Sequence, residues 1–395
     1  MSMPAALARR RLYAGPALFS YGFRPFFLGG ALWAALGILL WLAQYQGELA
    51  LPTAFGPIDW HIHEMLHGYV GAVVAGFLLT AVPNWTGQLP INGPPLVALA
   101  GLWLAGRVAV LFSATIGAVP AAIIDVAFLT ILAALMLREI IAGKNWRNLR
   151  VIAVLAVFIA GNVVFHAEAI MRGSADYGVR IGIGAAIGLI MVVGGRIVPS
   201  FTHNWLKREN PGRLPQPFSR FDALSLAVAG IGLVAWVVAP GHDVTGGLLL
   251  SAFLLQALRL ARWAGDRTIA DRLVLVLHVG FAFVPIGFAL TGAAILVPEA
   301  VPLSAGFHAW TAGAIGIMTL AVMTRASLGH TGQALKAGPA TQAIYACALV
   351  AAVVRIAAAF VPSLALLHIA AFAWAAAFGG FALFYGPPLM RQRRA

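Results

Sequence analysis

Polar residues break this chain only at intervals, and between them run almost wholly apolar stretches of about 20 residues, the length a helix needs to cross a bilayer core. Twelve such runs begin near Phe26, His61, Leu96, Ala118, Leu149, Val179, Asp222, Thr245, Arg272, Ala305, Thr341 and Leu364. Loops between them are short, the longest from about Ser200 to Phe221. The pattern predicts an all-α, polytopic integral membrane protein of twelve transmembrane helices. It predicts a single integral domain over residues 1–395, with an N-terminal segment at 1–25 and a basic tail at 389–395.

Composition points the same way. With 61% hydrophobic and 10% charged residues, the chain has too little polar surface to cover a soluble globule of its length. The formal charge of +13 lies in alternate loops rather than on one module, which argues against a nucleic-acid partner. Arg9, Arg10, Arg11 and Arg24 precede the first span, and Arg138, Lys144, Arg147 and Arg150 separate spans four and five. Lys207, Arg208, Arg213 and Arg220 follow span six, Arg259, Arg262, Arg267 and Arg272 follow span eight, and Arg391, Arg393 and Arg394 end the chain. The intervening loops hold little beyond Arg172 and Arg180. Cytoplasmic loops retain Lys and Arg, so both termini are expected in the cytoplasm. The run after the first arginines is long and lacks a small-residue cleavage site, so the first span is expected to be retained. Cys347 is the only cysteine, which leaves His, Met, Tyr and carboxylates as metal donors.

The chemistry concentrates in Trp60-His61-Ile62-His63-Glu64-Met65-Leu66-His67, at the start of span two. Ionisable groups in hydrocarbon cost several kcal/mol unless paired, ligated or wet, so each is a functional candidate. At 100° per residue His63 and His67 share one helical face, while His61 and Glu64 share another. One metal cannot easily take both His61 and His63. Two centres, or one centre plus a Glu64-centred proton site, are expected. The Glu64 face continues into Gly68, Gly71 and Ala75, which suggests close packing against a neighbouring helix.

Under the expected topology the histidines form two layers. His61, His63, His67, His166, His308 and His368 fall in the outer half, and His278 in the inner half, with His203 and His330 in cytoplasmic loops and His242 in an outer one. Neutral imidazole suits iron, copper and zinc alike, and haem needs one or two axial histidines beside an apolar slot. Arg196 and Arg325 close spans six and ten; each reads as a positive-inside anchor or as the partner of a haem propionate or an anionic lipid. Arg107 and Arg355 lie inside spans and require a partner such as Asp125, Glu168 or a carbonyl. An echo of Val82-Pro83 in Val198-Pro199 suggests that spans two, six and ten are equivalent members of three four-helix units.

His63-Glu64-x-x-His67 also matches the zinc-protease pattern H-E-x-x-H. That chemistry needs Glu64 as general base and a third ligand from a later span, for which Asp125 and Glu168 are the placed carboxylates.

Several strings together resemble the NnrS family of bacterial inner-membrane proteins, which contain haem and copper and belong to the nitric-oxide response. They include Phe19-Ser20-Tyr21-Gly22-Phe23-Arg24-Pro25-Phe26-Phe27, Trp60 to Met65, Gly76 to Gly87, Gly161-Asn162-Val163-Val164-Phe165-His166 and Gly195 to Thr202. Leu277-His278-Val279-Gly280, then His308 through Met323 to Gly332, complete the set. The resemblance departs at His67, a position commonly aromatic in the family, and at His203. It implies haem b and copper, with metal ligation among His61, His63, His166, His278, His308 and His330. It also implies a role binding and reducing nitric oxide, or relieving nitrosative damage, with a separate electron donor.

Under this reading His63 and His308 are the first choices for an outer centre, His61 and His166 the next, and His278 with His330 a second, inner centre. Glu64 is the proton-handling residue. A transporter or metal-delivery protein with a histidine-lined path is the alternative, and a sensor or scavenger that binds nitric oxide without turnover a third.

Overall fold

The twelve apolar runs are twelve membrane-length helices. A computed structural model describes residues 13 and 15–392, and Arg9, Arg10, Arg11, Arg393 and Arg394 lie outside the described residues. Every regular element among the described residues is helical. Spans one to six are Phe23–Tyr45, Pro57–Thr86, Pro94–Leu111, Ala118–Ala142, Trp146–Arg172 and Tyr177–Glu209. Spans seven to twelve are Arg220–Val238, Asp243–Ala261, Arg272–Leu296, Leu303–Thr331, Pro339–Phe360 and Leu364–Met390.

Several helices begin a few residues before their apolar run, because their first turns are built from capping residues that hydropathy ignores. Pro57, Pro94 and Pro339 open spans two, three and eleven, where a fixed φ is already helical and no amide donor is wasted. Ser219 and Asp222 form a reciprocal capping box at span seven, the Ser219 amide donating to Asp222 Oδ2 at 2.9 Å.

Three loop expectations change. Span six continues through Ser200 to Glu209 because Val198, Thr202 and Leu206 are buried at helical spacing while Lys207 and Arg208 stay exposed. His203 is therefore helical, and His330 likewise lies in the last turn of span ten. Arg259, counted above among the loop arginines, is 1% exposed inside span eight. It donates to Asp222 Oδ1 at 3.4 Å and to the Met191 carbonyl at 3.3 Å.

The contacts divide the helices into two compact units. One comprises the described residues up to Gly182, Ala326–Ala334 and those from Phe378 onward; the other comprises Ile183–Arg325 and Leu335–Ala377. In the first unit Arg24 donates to the carbonyls of Leu389 and Arg391 at 2.7 and 2.8 Å, satisfying acceptors that the end of span twelve leaves open. In the second, Arg267 donates to the carbonyls of Asn210 and Pro211, both at 3.0 Å, holding the 210–219 loop. Spans two, nine and ten are the most enclosed, with 78%, 67% and 72% of their apolar stretch buried. Leu32, Ile123, Val234 and Leu383 face outward, as lipid contact requires.

Spans two, six and ten each contain a stretch wound as π-helix, at Glu64–Val70, Ile190–Gly194 and Ala309–Ile315. These are the spans the sequence echo groups together. Spans two and ten match more closely still. Placing Pro57 on Pro302 aligns, without a gap, His63 with His308, Gly68 with Gly313, Gly71 with Gly316 and Thr86-Gly87 with Thr331-Gly332. Both π stretches then begin directly after the histidine, and both helices end before a glycine of positive φ, 70° and 80°.

The preceding helices repeat as well. A Cβ on Gly30 would meet Ala72 at 3.2 Å and Val73 at 3.6 Å, and one on Gly280 would meet the aligned residues Ile317 and Met318 at 3.0 and 3.1 Å. A Cβ on Gly37 would meet Met65, and one on Gly287 would meet the aligned Trp310. The helix pair formed by spans one and two is thus repeated by spans nine and ten.

The two glycine contacts differ in stiffness. Met65 offers only its terminal methyl to Gly37, at 2.7 Å, and can swing away. Trp310 offers Gly287 a rigid indole whose Nε1–H is tied to the Val284 carbonyl at 3.1 Å. Gly287→Ala is expected to cost about 1–3 kcal/mol by overpacking and Gly37→Ala much less. Thermal unfolding of the two variants in detergent measures the difference; equal melting temperatures would contradict it.

Candidate metal centre

In the first unit, five spans bring polar side chains into one dry cluster. Span one supplies Trp33, span two His63 and Glu64, span three Arg107, span four Asp125, and span five Asn162 and His166. Each of the charged or ligating members is at most 5% exposed. Glycine makes the room: a Cβ on Gly68 would lie 2.5 Å from Arg107 Nη1 and 3.0 Å from both Glu64 Oε2 and Trp33 Nε1. The small-residue face that follows Glu64 along span two therefore receives an arginine.

Arg107 is the hub. Its Nη1 donates to both oxygens of Glu64 at 2.8 Å, and its Nη2 donates to Asp125 Oδ1. Trp33 Nε1–H donates to Glu64 Oε2 at 2.6 Å and His63 Nδ1–H to Glu64 Oε1 at 2.9 Å. Asn162 Nδ2 donates to Asp125 Oδ2 at 2.7 Å, which turns Asn162 Oδ1 toward His63 Nε2 at 3.1 Å. Asp125 Oδ2 lies 3.2 Å from His63 Nε2 and 3.1 Å from His166 Nε2.

Two features of this network call for a cation. With both carboxylates ionised, Arg107 offsets only one of the two negative charges. His63 also faces acceptors at both nitrogens, Glu64 at Nδ1 and Asn162 with Asp125 at Nε2. A positive charge among His63 Nε2, Asp125 Oδ2 and His166 Nε2 resolves both features, since buried charge persists only when compensated. One ligand atom from each of His63, Asp125 and His166 lies within 4.8 Å of the others. Two imidazoles and a carboxylate are a donor set for a transition ion. Glu64, accepting Nδ1–H, fixes the ring so that Nε2 points inward, as a carboxylate does behind a metal-bound histidine.

This occupation of Glu64 undercuts the protease reading. Both its oxygens are held by Arg107, and Trp33 and His63 each take one of them. A carboxylate so committed is not free to serve as the general base of an H-E-x-x-H site, and its contact with His63 Nδ1 orients that ring. The expected separation of His63 and Glu64 into distinct sites gives way to one network, because the Glu64 carboxylate reaches back to His63 Nδ1 at 2.9 Å.

Residues 17–393 match the family described as NnrS protein. The chain belongs to the NnrS family. No curated protein matches it. Within the NnrS strings noted above, Trp60 to Met65 supplies His63 and Glu64 to the cluster, and Gly161 to His166 supplies Asn162 and His166. Trp33, Arg107 and Asp125 lie outside those strings. The sequence offers Asp125 as a protease ligand or as a partner for Arg107, and an aspartate inside span four is itself a signal, because a lone carboxylate in an apolar run must be held by something.

The remaining expected site residues lie elsewhere. His61 stacks on Trp41 with ring centres 4.3 Å apart. His67 lies beside the cluster, its ring 5.4 Å from that of His63. His330 packs against Tyr21 and Phe23 at 5.4 and 5.3 Å. In the second unit His308 donates Nδ1–H to the Ser304 carbonyl at 2.7 Å. His278 Nε2–H meets Thr202 Oγ1 at 2.8 Å, the Thr202 proton being directed at the Val198 carbonyl. Arg325 lies over the Phe201 ring at 4.0 Å, and Arg196 is exposed.

Removing Arg107 leaves two carboxylates buried without their cation. Arg107→Met is expected to destabilise the protein by about 3–5 kcal/mol, whereas Arg208→Met, which breaks the exposed pair with Glu209 at 2.6 Å, is expected to leave stability almost unchanged. The melting temperatures of the purified variants decide this, and comparable losses would refute the hub role.

Proposed function

We propose that this NnrS-family protein is a haem- and copper-containing protein of the bacterial inner membrane that binds and reduces nitric oxide. The observation that carries the metal reading is the dry convergence of His63, Asp125 and His166 on one point, with His63 held by Glu64 and a negative charge left for a cation to offset. Haem, copper and nitric oxide come from family membership.

The residues fit such groups. Imidazole nitrogens and one carboxylate oxygen suit copper or non-haem iron, and a bound metal of this kind would supply an electrophilic, redox-active position for a small ligand. For haem, His308 is in the tautomer an axial ligand needs: its Nδ1–H is donated to Ser304, so Nε2 carries the lone pair. Phe307 and Trp310 flank it in sequence and both pack on Trp236, at 5.5 and 5.3 Å. Arg196 and Arg325 carry the charge that propionates or anionic lipid would meet. Reduction draws its electrons from a separate donor.

The test uses full-length protein expressed with ample haem supply and purified in detergent. A Soret band, stoichiometric non-haem metal and consumption of nitric oxide by the reduced protein are expected. His63→Ala and His166→Ala should each lose the non-haem metal while keeping the haem. Absence of a Soret band removes the haem claim. Substoichiometric, exchangeable metal without nitric-oxide consumption would favour a metal-delivery path instead.

A further inference from the structure

His67 is stranded. It is 1% exposed, and neither of its ring nitrogens has a hydrogen-bond partner. An imidazole carries one N–H and one lone pair, and burying both unpaired in an apolar interior is unfavourable. Its ring lies 4.9 Å from Phe158 and 6.1 Å from Phe165, surroundings that a phenylalanine would suit better.

Packing does not require the residue. The repeated helix pair provides the comparison, because Ala312 occupies the aligned position on the π-wound stretch of span ten. The same helical frame is therefore built without a histidine at this site.

The geometry suits ligation. Two imidazoles bound to one ion at metal–nitrogen distances of about 2.0–2.1 Å and a tetrahedral angle place their ring centres about 5 Å apart. His63 and His166 are separated by 4.8 Å, and His63 and His67 by 5.4 Å. His63 is thus spaced for a shared ion with His166, and His67, outside the group whose ligand atoms lie within 4.8 Å of one another, turns its ring toward them on binding.

We propose that His67 supplies the third imidazole of a four-ligand centre, with His63, His166 and Asp125, for a first-row transition ion. This rests on the reading of those three residues as a metal centre. Three nitrogens and one oxygen, with no sulfur, favour such an ion over calcium or magnesium, which take oxygen ligands. On binding, the ion takes the place of the contacts that Asp125 Oδ2 makes with the two flanking histidines, and one nitrogen of His67 gains a partner.

Cu²⁺ added to the full-length protein in detergent is the probe. Pulsed electron paramagnetic resonance is expected to count three coordinated imidazoles in the wild type and two in His67→Phe. Affinity against a competing chelator should fall at least about 100-fold in His67→Phe, beyond the 10–100-fold loss usual for a residue that only orients a ligand. His67→Phe restores an aromatic filling, so it should melt no lower than the wild type without added metal. If His67→Phe keeps three imidazoles and unchanged affinity, the role assigned to His67 is wrong while the centre stands. If the wild type binds no Cu²⁺ at this site, or His63→Ala binds it as tightly, the centre itself falls, and the assignment of His67 with it.

Discussion

One guanidinium held between two carboxylates, away from water, is the constraint on which the candidate site depends. Arg107 joins Glu64 of span two to Asp125 of span four. Glu64 is in turn bonded by Trp33 of span one, and Asp125 by Asn162 and His166 of span five. In a low dielectric no member of such a set can be left unpaired without a large penalty, so five helices are committed to one rotation and one depth. A buried ion pair adds little net stability when compared with apolar packing of the same volume. Its value lies in specificity, because a helix turned by one residue would bury a charge with no partner.

Glycine and π winding make that cluster fit inside an otherwise apolar bundle. Gly68 leaves the space that Arg107 enters, and Gly30 and Gly37 let spans one and two approach. The same device recurs in spans nine and ten, where Gly280 and Gly287 serve the aligned contacts. The two copies have diverged in chemistry rather than frame. Where span two has Glu64 and His67, span ten has Ala309 and Ala312, and His308 donates to the Ser304 carbonyl while its chain neighbours Phe307 and Trp310 pack on Trp236. The aligned histidine thus meets carboxylates in one copy and a backbone carbonyl of its own helix in the other.

Much of this was legible along the chain. The span starts were placed within a few residues, and the misses have a common cause: polar first and last turns, as at Ser219–Asp222 and Thr202–Glu209, are helical through capping and amphipathic burial rather than through hydropathy. His63, Glu64 and His166 stood out because ionisable residues in apolar runs demand a reason. Asp125 and Arg107 carry the same signal and are expected as partners of each other, yet nothing local says that Arg107 also takes Glu64. Trp33 and Asn162 carried none, since an indole or an amide in a membrane helix is ordinary until its partner is known.

The sequence by itself determined the helices, their number and the family, because hydropathy summed over a span and an ordered set of motifs are properties of the chain read in one dimension. Tertiary structure decided which histidines converge. It joined His63 to His166 and Asp125, gave Glu64 to Arg107, stacked His61 on Trp41 and left His67 without a hydrogen bond. Those outcomes turn on helix rotation, on a π stretch that shifts the face of every residue after it, and on glycines that set how closely neighbouring helices approach. Each depends on the partner helix as much as on the residue, and so none is written in the local pattern.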